Sequence, residues 1–353
     1  MFHSFFRLFR IRTKSVPNVL WTLLFLLVVY LEAVVYFVHQ IRWPDSTCGI
    51  QPNHHHKVLL VADPQILGEA TESWIARWDC DRFLSKTFKL ALEHVEPSLV
   101  IFLGDLMDEG SIASPSEYLR YYQRFNKIFR IHTLQANQTI YLPGDNDIGG
   151  ENEDVTPQKL NRFDKYFGLK PDVVFFENVK FSKVNFMLKT SPKYEPSESD
   201  INLSIIISHM SLLGASSFFT EKVIRELKPS LIISAHDHKA VHFVGDIETG
   251  ERTHIESMLE TPASNINWRW RFQTSKFHTN EIVVPTCSYR MGTRQTGYGV
   301  LLIDSEGDNV CYSVLWLPDR LLHLKIYFFL IFPSLTVYLI VKVIHKSRLS
   351  RSL

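Results

Sequence analysis

Five short apolar runs in this chain each break off into residues bearing carboxylate, amide or imidazole groups. The run at 58–62 is followed by Asp63 and Gln65, that at 100–103 by Gly104, Asp105 and Asp108, and that at 140–142 by Gly144, Asp145, Asn146 and Asp147. Two later runs, 203–207 and 230–234, lead into His209 and into the pair His236 and His238. Apolar runs of this length read as buried strands. A buried strand does not tolerate an unpaired carboxylate, so an acid at its end needs a cation, a metal or several hydrogen bonds. A single Asp after a strand is ordinary as a helix cap or turn residue. Five such ends with metal-compatible chemistry, one of them an H-x-H pair, point to a metal site instead.

Around these ends, helical and extended patterns alternate. Helical periodicity predicts helices over 73–94, 115–132, 156–167 and 219–227. Tyr118, Tyr122, Phe125 and Phe129 make the second of these a cover for a sheet. Beyond the five runs, strands are expected at 173–176 and 184–188, joined across 178–181, and at 241–244, 281–284, 300–303 and 311–315. Strand–helix alternation in the first half and strands in the second imply an α/β architecture of two packed sheets with helices outside. Residues 44–56 read as a linker. Its His54, His55 and His56 are expected in solvent, because side chains on an extended chain alternate and cannot converge on one ion. The aromatic and basic alternation of 265–272 suits an edge strand, a substrate rim or a membrane-facing rim.

With 353 residues, 45% of them hydrophobic, the chain can bury one large core or two modest ones. Its net charge of +1 gives no sign of a nucleic-acid partner. Val19 to Val38 is nearly all apolar, interrupted by Glu32, and long enough to span a bilayer. Arg7, Arg10, Arg12 and Lys14 precede it without an acid, which places the N-terminus in the cytosol. The run exceeds a typical signal-peptide core and lacks a small-x-small cleavage site. A second apolar segment, 321–344, contains Pro333, with Lys325 and Lys342 placed to snorkel. Lys346, Arg348 and Arg351 follow it. The expected organisation is a cytosolic tail (1–18), a span (19–38), a lumenal domain (44–320), a second span (321–344) and a cytosolic tail (345–353), the alternative for the last helix being an amphipathic helix on the membrane surface. Sequons at Asn137 and Asn202 agree with a lumenal domain. Cys48, Cys80, Cys287 and Cys311 allow three complete pairings, and their spacing is not that of a zinc finger.

Oxygen and nitrogen donors without thiolates suit manganese, zinc, iron or magnesium, and the imidazoles argue against a purely magnesium or calcium cage. Asp63, Gln65, Asp105, Asp145, His209, His236 and His238 are too many ligands for one ion and suit two, with a carboxylate bridging. Such a pair lowers the pKa of a water and offsets charge on phosphoryl oxygens, the two contributions that phosphoester hydrolysis needs.

The ordered set DPQ at Asp63, GDLMD at Gly104, GDND at Gly144, SHM at Ser208 and AHDH at Ala235 resembles the calcineurin-like metallophosphoesterase superfamily over roughly 57–244. ADPQ at Ala62, DIG at Asp147, EIVVPTCSYRMG at Glu281 and a span at each end resemble, more narrowly, the metallophosphoesterase 1 group. The resemblance implies a four-layer αββα sandwich holding two metals, with manganese favoured and zinc or iron as alternatives. Asp63, Gln65, Asp105 and His238 would hold the first and Asp105, Asp145, His209 and His236 the second, with Asp105 bridging. Gln65 stands where the wider family has His, and Asp145 where it has Asn. Asn146 replaces the His that contacts phosphate; its amide can donate to a phosphoryl oxygen but cannot act as a general acid near neutral pH. Asn146 and Asp105 are thus the candidate catalytic residues, and Arg290 and Arg294 candidate contacts to anchor phosphate. The implied activity is removal of an ethanolamine-phosphate branch from a mannose of GPI anchors. The implied setting is the endoplasmic reticulum, its exit sites or the early Golgi, with GPI-anchored proteins, membrane lipid and cargo receptors as partners. The alternatives are a phosphomonoesterase or nucleotide hydrolase, and a weakly active GPI-protein binding protein.

Overall fold

The computed structural model describes residues 16–44, 55–134, 139–193, 203–259, 270–273, 275, 277–304 and 309–349. Cys48, His54, both sequon asparagines and residues 265–269 lie outside them. The terminal helices form one compact unit and Arg42–Leu317 the other.

In the terminal unit, helix α1 (Val16–Val29) continues through a π-helical turn, Tyr30–Val34, into α2 (Val35–Arg42). The segments Trp21–Arg42 and Arg320–Ile340 are both long and apolar enough to cross a membrane. Their one acid, Glu32, sits in the π-turn, where its Oε1 accepts from Arg320 Nη1 at 2.7 Å and from the Tyr327 hydroxyl. A charge in lipid needs such partners.

The other unit begins with β1 (His55–Val61), α3 (Trp74–Val95), β2 (Leu99–Phe102), α4 (Pro115–Ile128), β3 (Thr139–Tyr141), the single turn α5 (Asp145–Ile148) and α6 (Pro157–Phe167). It continues with β4 (Val173–Phe176), β5 (Val179–Val184), β6 (Leu203–Ser208), α7 (Phe218–Leu227), β7 (Leu231–Ser234), β8 (Val241–Asp246) and β9 (Arg252–Ser257). It closes with β10 (Trp270–Gln273), β11 (His278–Val283), β12 (Gly297–Asp304) and β13 (Asn309–Trp316). Helices α8 (Arg320–Ile326) and α9 (Phe332–Leu349) belong to the terminal unit.

Two sheets result, ordered β10-β13-β12-β1-β2-β3 and β4-β5-β6-β7-β11-β8-β9. Alternation along each strand explains their packing. Val58, Leu60, Ile101 and Ile140 of the first sheet and Phe181, Ile205, Ile233 and Ile282 of the second share one apolar core. The opposite faces take helices: Phe88, Phe125 and Phe129 pack on Phe102, while Val223 and Ile224 pack on Ile206 and Ile232. The result is the expected αββα sandwich, and the aromatic face of α4 covers its sheet. Helix ends follow local chemistry: Ser73, Ser114, Thr156 and Ser217 cap α3, α4, α6 and α7 through their hydroxyls.

Two expectations from the sequence fail, and one strand goes unanticipated. The partner of β4 is 179–184 rather than 184–188, because the chain reverses at Glu177 (φ 51°) and Asn178 instead of across four residues. His55 and His56 are half-buried on β1, paired with Asp304 and Ile303, and not free in solvent. Residues 252–257 form an edge strand that had no sequence signal, since all six of its side chains are exposed and none reports a core. Trp270–Gln273, within the aromatic and basic stretch, is an edge strand paired with β13. Cys311 is disulfide-bonded, while Cys80 and Cys287 are buried free thiols.

Candidate metal centre

Strands β1, β2 and β3 run parallel in one sheet, and β5, β6, β7 and β11 run parallel in the other. Parallel strands put all their carboxyl ends at one edge, where α/β sheets bind ligands. Asp63 and Gln65 follow β1, Asp105 follows β2, Asp145 follows β3, His209 follows β6, and His236 and His238 follow β7.

Ligand atoms of Asp105, Asp145, His209 and His236 lie within 4.8 Å of one another, and so do those of Asp63, Asp105 and His238. Asp105 belongs to both groups. His209 Nε2 is 3.1 Å from Asp145 Oδ1 and 3.5 Å from Asp105 Oδ1, and His236 Nδ1 is 3.2 Å from Asp145 Oδ1. His238 Nε2 lies 3.9 Å from Asp63 Oδ1, and Gln65 Nε2 donates to Asp105 Oδ2 at 2.8 Å. The His209 ring is oriented by Nδ1, which donates to the Leu103 carbonyl at 2.8 Å and leaves Nε2 as the ligand nitrogen.

Local backbone aims these groups. Asp63, Gln65, Asp105, His236 and His238 all have positive φ, between 38° and 69°. Left-handed backbone is disfavoured for such residues, and five cases at one edge are the strain expected of a functional site. Two glycines permit the close approach. A Cβ on Gly144 would sit 2.1 Å from Asp105 Oδ1, and one on Gly104 (φ 101°) would sit 2.5 Å from His209 Nδ1.

The donor set fits divalent cations. Asp63 Oδ2 is buried without a hydrogen-bond partner among the described residues. Burial pushes the Asp63 carboxyl up to about 7 and raises Asp105 too, each helped by a neighbouring carboxylate. Burial alone would lower His209, yet Asp105, Asp145 and Asp63 hold it at about 10, while burial and the two other imidazoles press His238 down to about 4. Buried like charges conflict here unless cations are present.

Three groups take supporting roles that the sequence reading did not assign them. Asp147 is fully buried and accepts from the amides of Leu106 (3.1 Å), Met107 (3.1 Å) and Gly144 (2.9 Å), tying the loop after β2 to the turn after β3. Glu281, on the Phe243-paired register of β11, accepts from the amides of Leu212 and Leu213 and from the Ser234 hydroxyl, which fixes the segment after His209. Thr286 Oγ1 donates to the Asp63 carbonyl at 2.8 Å. A carboxylate within an apolar strand, as in EIVV, is the signal that marks Glu281.

Other candidates lie elsewhere or are engaged. The Asn146 amide donates from Nδ2 to Asp105 Oδ2 at 2.8 Å, so it braces the shared carboxylate. Arg290 pairs with Glu72, and Arg294 lines a separate cavity with Lys239 and Gln295. His278 starts β11; that strand is parallel to β7, so His278 lies at the edge opposite the cluster. Asp108 belongs to neither ligand group; it accepts from the Gly68 amide, and burial with Glu109 and Glu72 raises its carboxyl to about 6. A raised folded-state pKa makes ionisation of Asp108 oppose folding as pH rises from about 4 through about 6. Asp108→Asn should therefore match the parent in thermal stability near pH 4 and exceed it above pH 6. A constant offset across this range in pH-dependent melting would refute the assignment.

A family model described as calcineurin-like phosphoesterase matches residues 56–240. The chain belongs to that family. Its two overlapping ligand groups form a site of the kind a metal-dependent hydrolase needs. It is also related to metallophosphoesterase 1 proteins: it is 29% identical to metallophosphoesterase 1 of Gallus gallus over 39% of this chain and 36% of that one. It is 23% identical to the metallophosphoesterase 1 homolog of Caenorhabditis elegans over 86% of each chain. Cell division control protein 1 of Saccharomyces cerevisiae is 25% identical over 82% of this chain and 64% of the yeast protein. The matched region thus spans about a third of the chicken protein and under two thirds of the yeast one.

Proposed function

We propose that this calcineurin-like phosphoesterase is a two-metal phosphodiesterase, manganese-dependent, that removes ethanolamine phosphate from a mannose of GPI anchors. The carrying observation is that five strand ends from two sheets converge on Asp105, which belongs to both ligand groups. Two bound cations would activate a water for in-line attack and neutralise the phosphoryl oxygens. Asp63, Gln65, Asp105 and His238 would hold one, and Asp105, Asp145, His209 and His236 the other. The protein supplies orientation: Leu103 fixes the His209 ring, and the Asn146 backbone and side-chain amides hold both oxygens of Asp105, at 3.0 and 2.8 Å. The relation to metallophosphoesterase 1 proteins supports the GPI substrate. The two apolar terminal helices and the disulfide at Cys311 support a lumenal domain with cytosolic termini, in an early secretory membrane where cargo receptors would collect the product.

The deciding assay is manganese-dependent release of ethanolamine phosphate from purified GPI glycolipid, run beside a p-nitrophenyl phosphate and nucleotide panel. Release from the glycolipid alone supports the proposal; turnover confined to the panel would replace it with a monoesterase or nucleotide hydrolase.

Because Asn146 is engaged with Asp105 and cannot deliver a proton, the leaving alkoxide lacks a general acid from this position. Asn146→His should raise kcat by about 10-fold or more on an alkyl phosphodiester and have little effect on a p-nitrophenyl ester, whose leaving group needs no proton. An equal change on both esters would mean that the residue acts only by bracing Asp105.

A further inference from the structure

A cavity of about 220 Å³ reaches His209 on one side and is walled by Leu142, Leu169, Phe186 and Met187. Lys183, Lys170, Asp172 and Asn185 add polar groups to this wall. On β5, Val179 and Phe181 point into the core between the sheets, and Lys183 takes the next position on the same face. It pairs with Ile207, two residues before His209. Lys183 is half-buried there, and an ammonium so placed is costly unless partnered. Among the described residues Lys183 Nζ makes one hydrogen bond, to the Leu169 carbonyl at 3.3 Å, and the nearby Asp172 carboxylate is engaged by Lys170. Burial lowers the Lys183 pKa to about 8, which leaves it mostly protonated at neutral pH. A cation lining a small cavity that also reaches the metal-ligand residue His209 is suited to an anionic oxygen.

We propose that this cavity is a subsite for a second phosphate group of the substrate, outside the scissile bond, with Lys183 Nζ as its anchoring donor. Its link to turnover rests on the phosphodiesterase reading above, whereas its affinity for phosphate does not. Lys183 in this role is a specificity residue: it selects substrates carrying two phosphates over simple diesters.

The test separates these two dependences. Full-length protein in detergent, stripped of metal, is titrated calorimetrically with methyl phosphate; without cations, Asp63, Asp105 and Asp145 disfavour an anion at the metal centre. Binding by the parent should weaken about 10-fold or more in Lys183→Met, and Lys183→Arg should retain most of it. In the manganese-loaded protein, Lys183→Met should hydrolyse bis(p-nitrophenyl) phosphate like the parent and lose the parent's preference for a glycerol-linked diester bearing a second phosphate. Absence of methyl phosphate binding in the parent, or binding unchanged in Lys183→Met, overturns the subsite. Equal losses on both diesters would also overturn it, by showing that the tie to Leu169 is structural. If Lys183→Met does not fold, Lys183→Gln carries the same comparison. Lys183-dependent binding without hydrolysis of either diester would leave the subsite standing and remove the phosphodiesterase reading.

Discussion

Asp105→Ala is expected to lower metal-dependent phosphodiester hydrolysis by at least about 10³-fold and to reduce bound divalent metal below two per chain. The size of the effect follows from position, because Asp105 is the one carboxylate common to both ligand groups. Its removal also leaves the Asn146 amides and Gln65 Nε2 without their acceptor. Asp105→Asn refines the test. In the metal-free protein the Asp105 carboxyl is raised by burial and by Asp145, so its charge opposes folding. The isosteric amide should therefore give a metal-free protein at least as stable as the parent while still abolishing turnover. A variant that keeps two metals and parental activity, measured by elemental analysis and p-nitrophenyl ester hydrolysis, would refute the two-metal assignment. One that loses activity only because it unfolds would recast Asp105 as structural.

Asp147→Ala should produce the second-largest change, and a different one. Among the described residues Asp147 hydrogen-bonds no metal-ligand side chain; its two oxygens accept three buried backbone amides on two loops. Burial and the Asp105 charge push its pKa up to about 8, against these three donors, which favour the charged form. Leaving the amides of Leu106, Met107 and Gly144 without an acceptor should cost about 3–5 kcal/mol, or a fall of about 10 °C in Tm. Because the same loops carry Asp105 and Asp145, metal affinity should fall by about 10- to 100-fold, so that excess manganese restores part of the activity. Differential scanning fluorimetry with a manganese titration checks both parts. Asp105→Ala should not be rescued by metal, and that contrast distinguishes a ligand from a positioning residue. An unchanged Tm for Asp147→Ala would overturn its assignment as the tie between the loops.

Much of the candidate site was legible because strand ends carry their chemistry in order. A continuous apolar run and a sudden change to Asp, Asn, Gln or His mark Asp63, Asp105, Asp145, His209, His236 and His238 without any knowledge of pairing. Helical periodicity placed α3, α6 and α7 almost to the residue, since each face is read over a few turns, but overran the end of α4, which stops at Ile128. The shift of the strand at 179–184 shows where local reading stops: Val179, Phe181 and Val184–Leu188 are all credible strand residues, and the reversal at Glu177 and Asn178 decides which of them pair. Strand β9 was silent for the opposite reason, as its pairing with β8 is made by backbone groups that sequence periodicity does not reveal.

The sequence by itself determined the two-sheet class, the apolar terminal helices and the identity of the donors, because each depends on composition and periodicity along a few residues. Only the tertiary structure decided that Asn146 braces Asp105, that Arg290 is committed to Glu72, and that Asp147, Glu281 and Thr286 hold the frame. Those are contacts between residues 40 to more than 200 positions apart in the chain. They arise where parallel strands from two sheets end at a common edge, and no local pattern encodes the distance between two such ends.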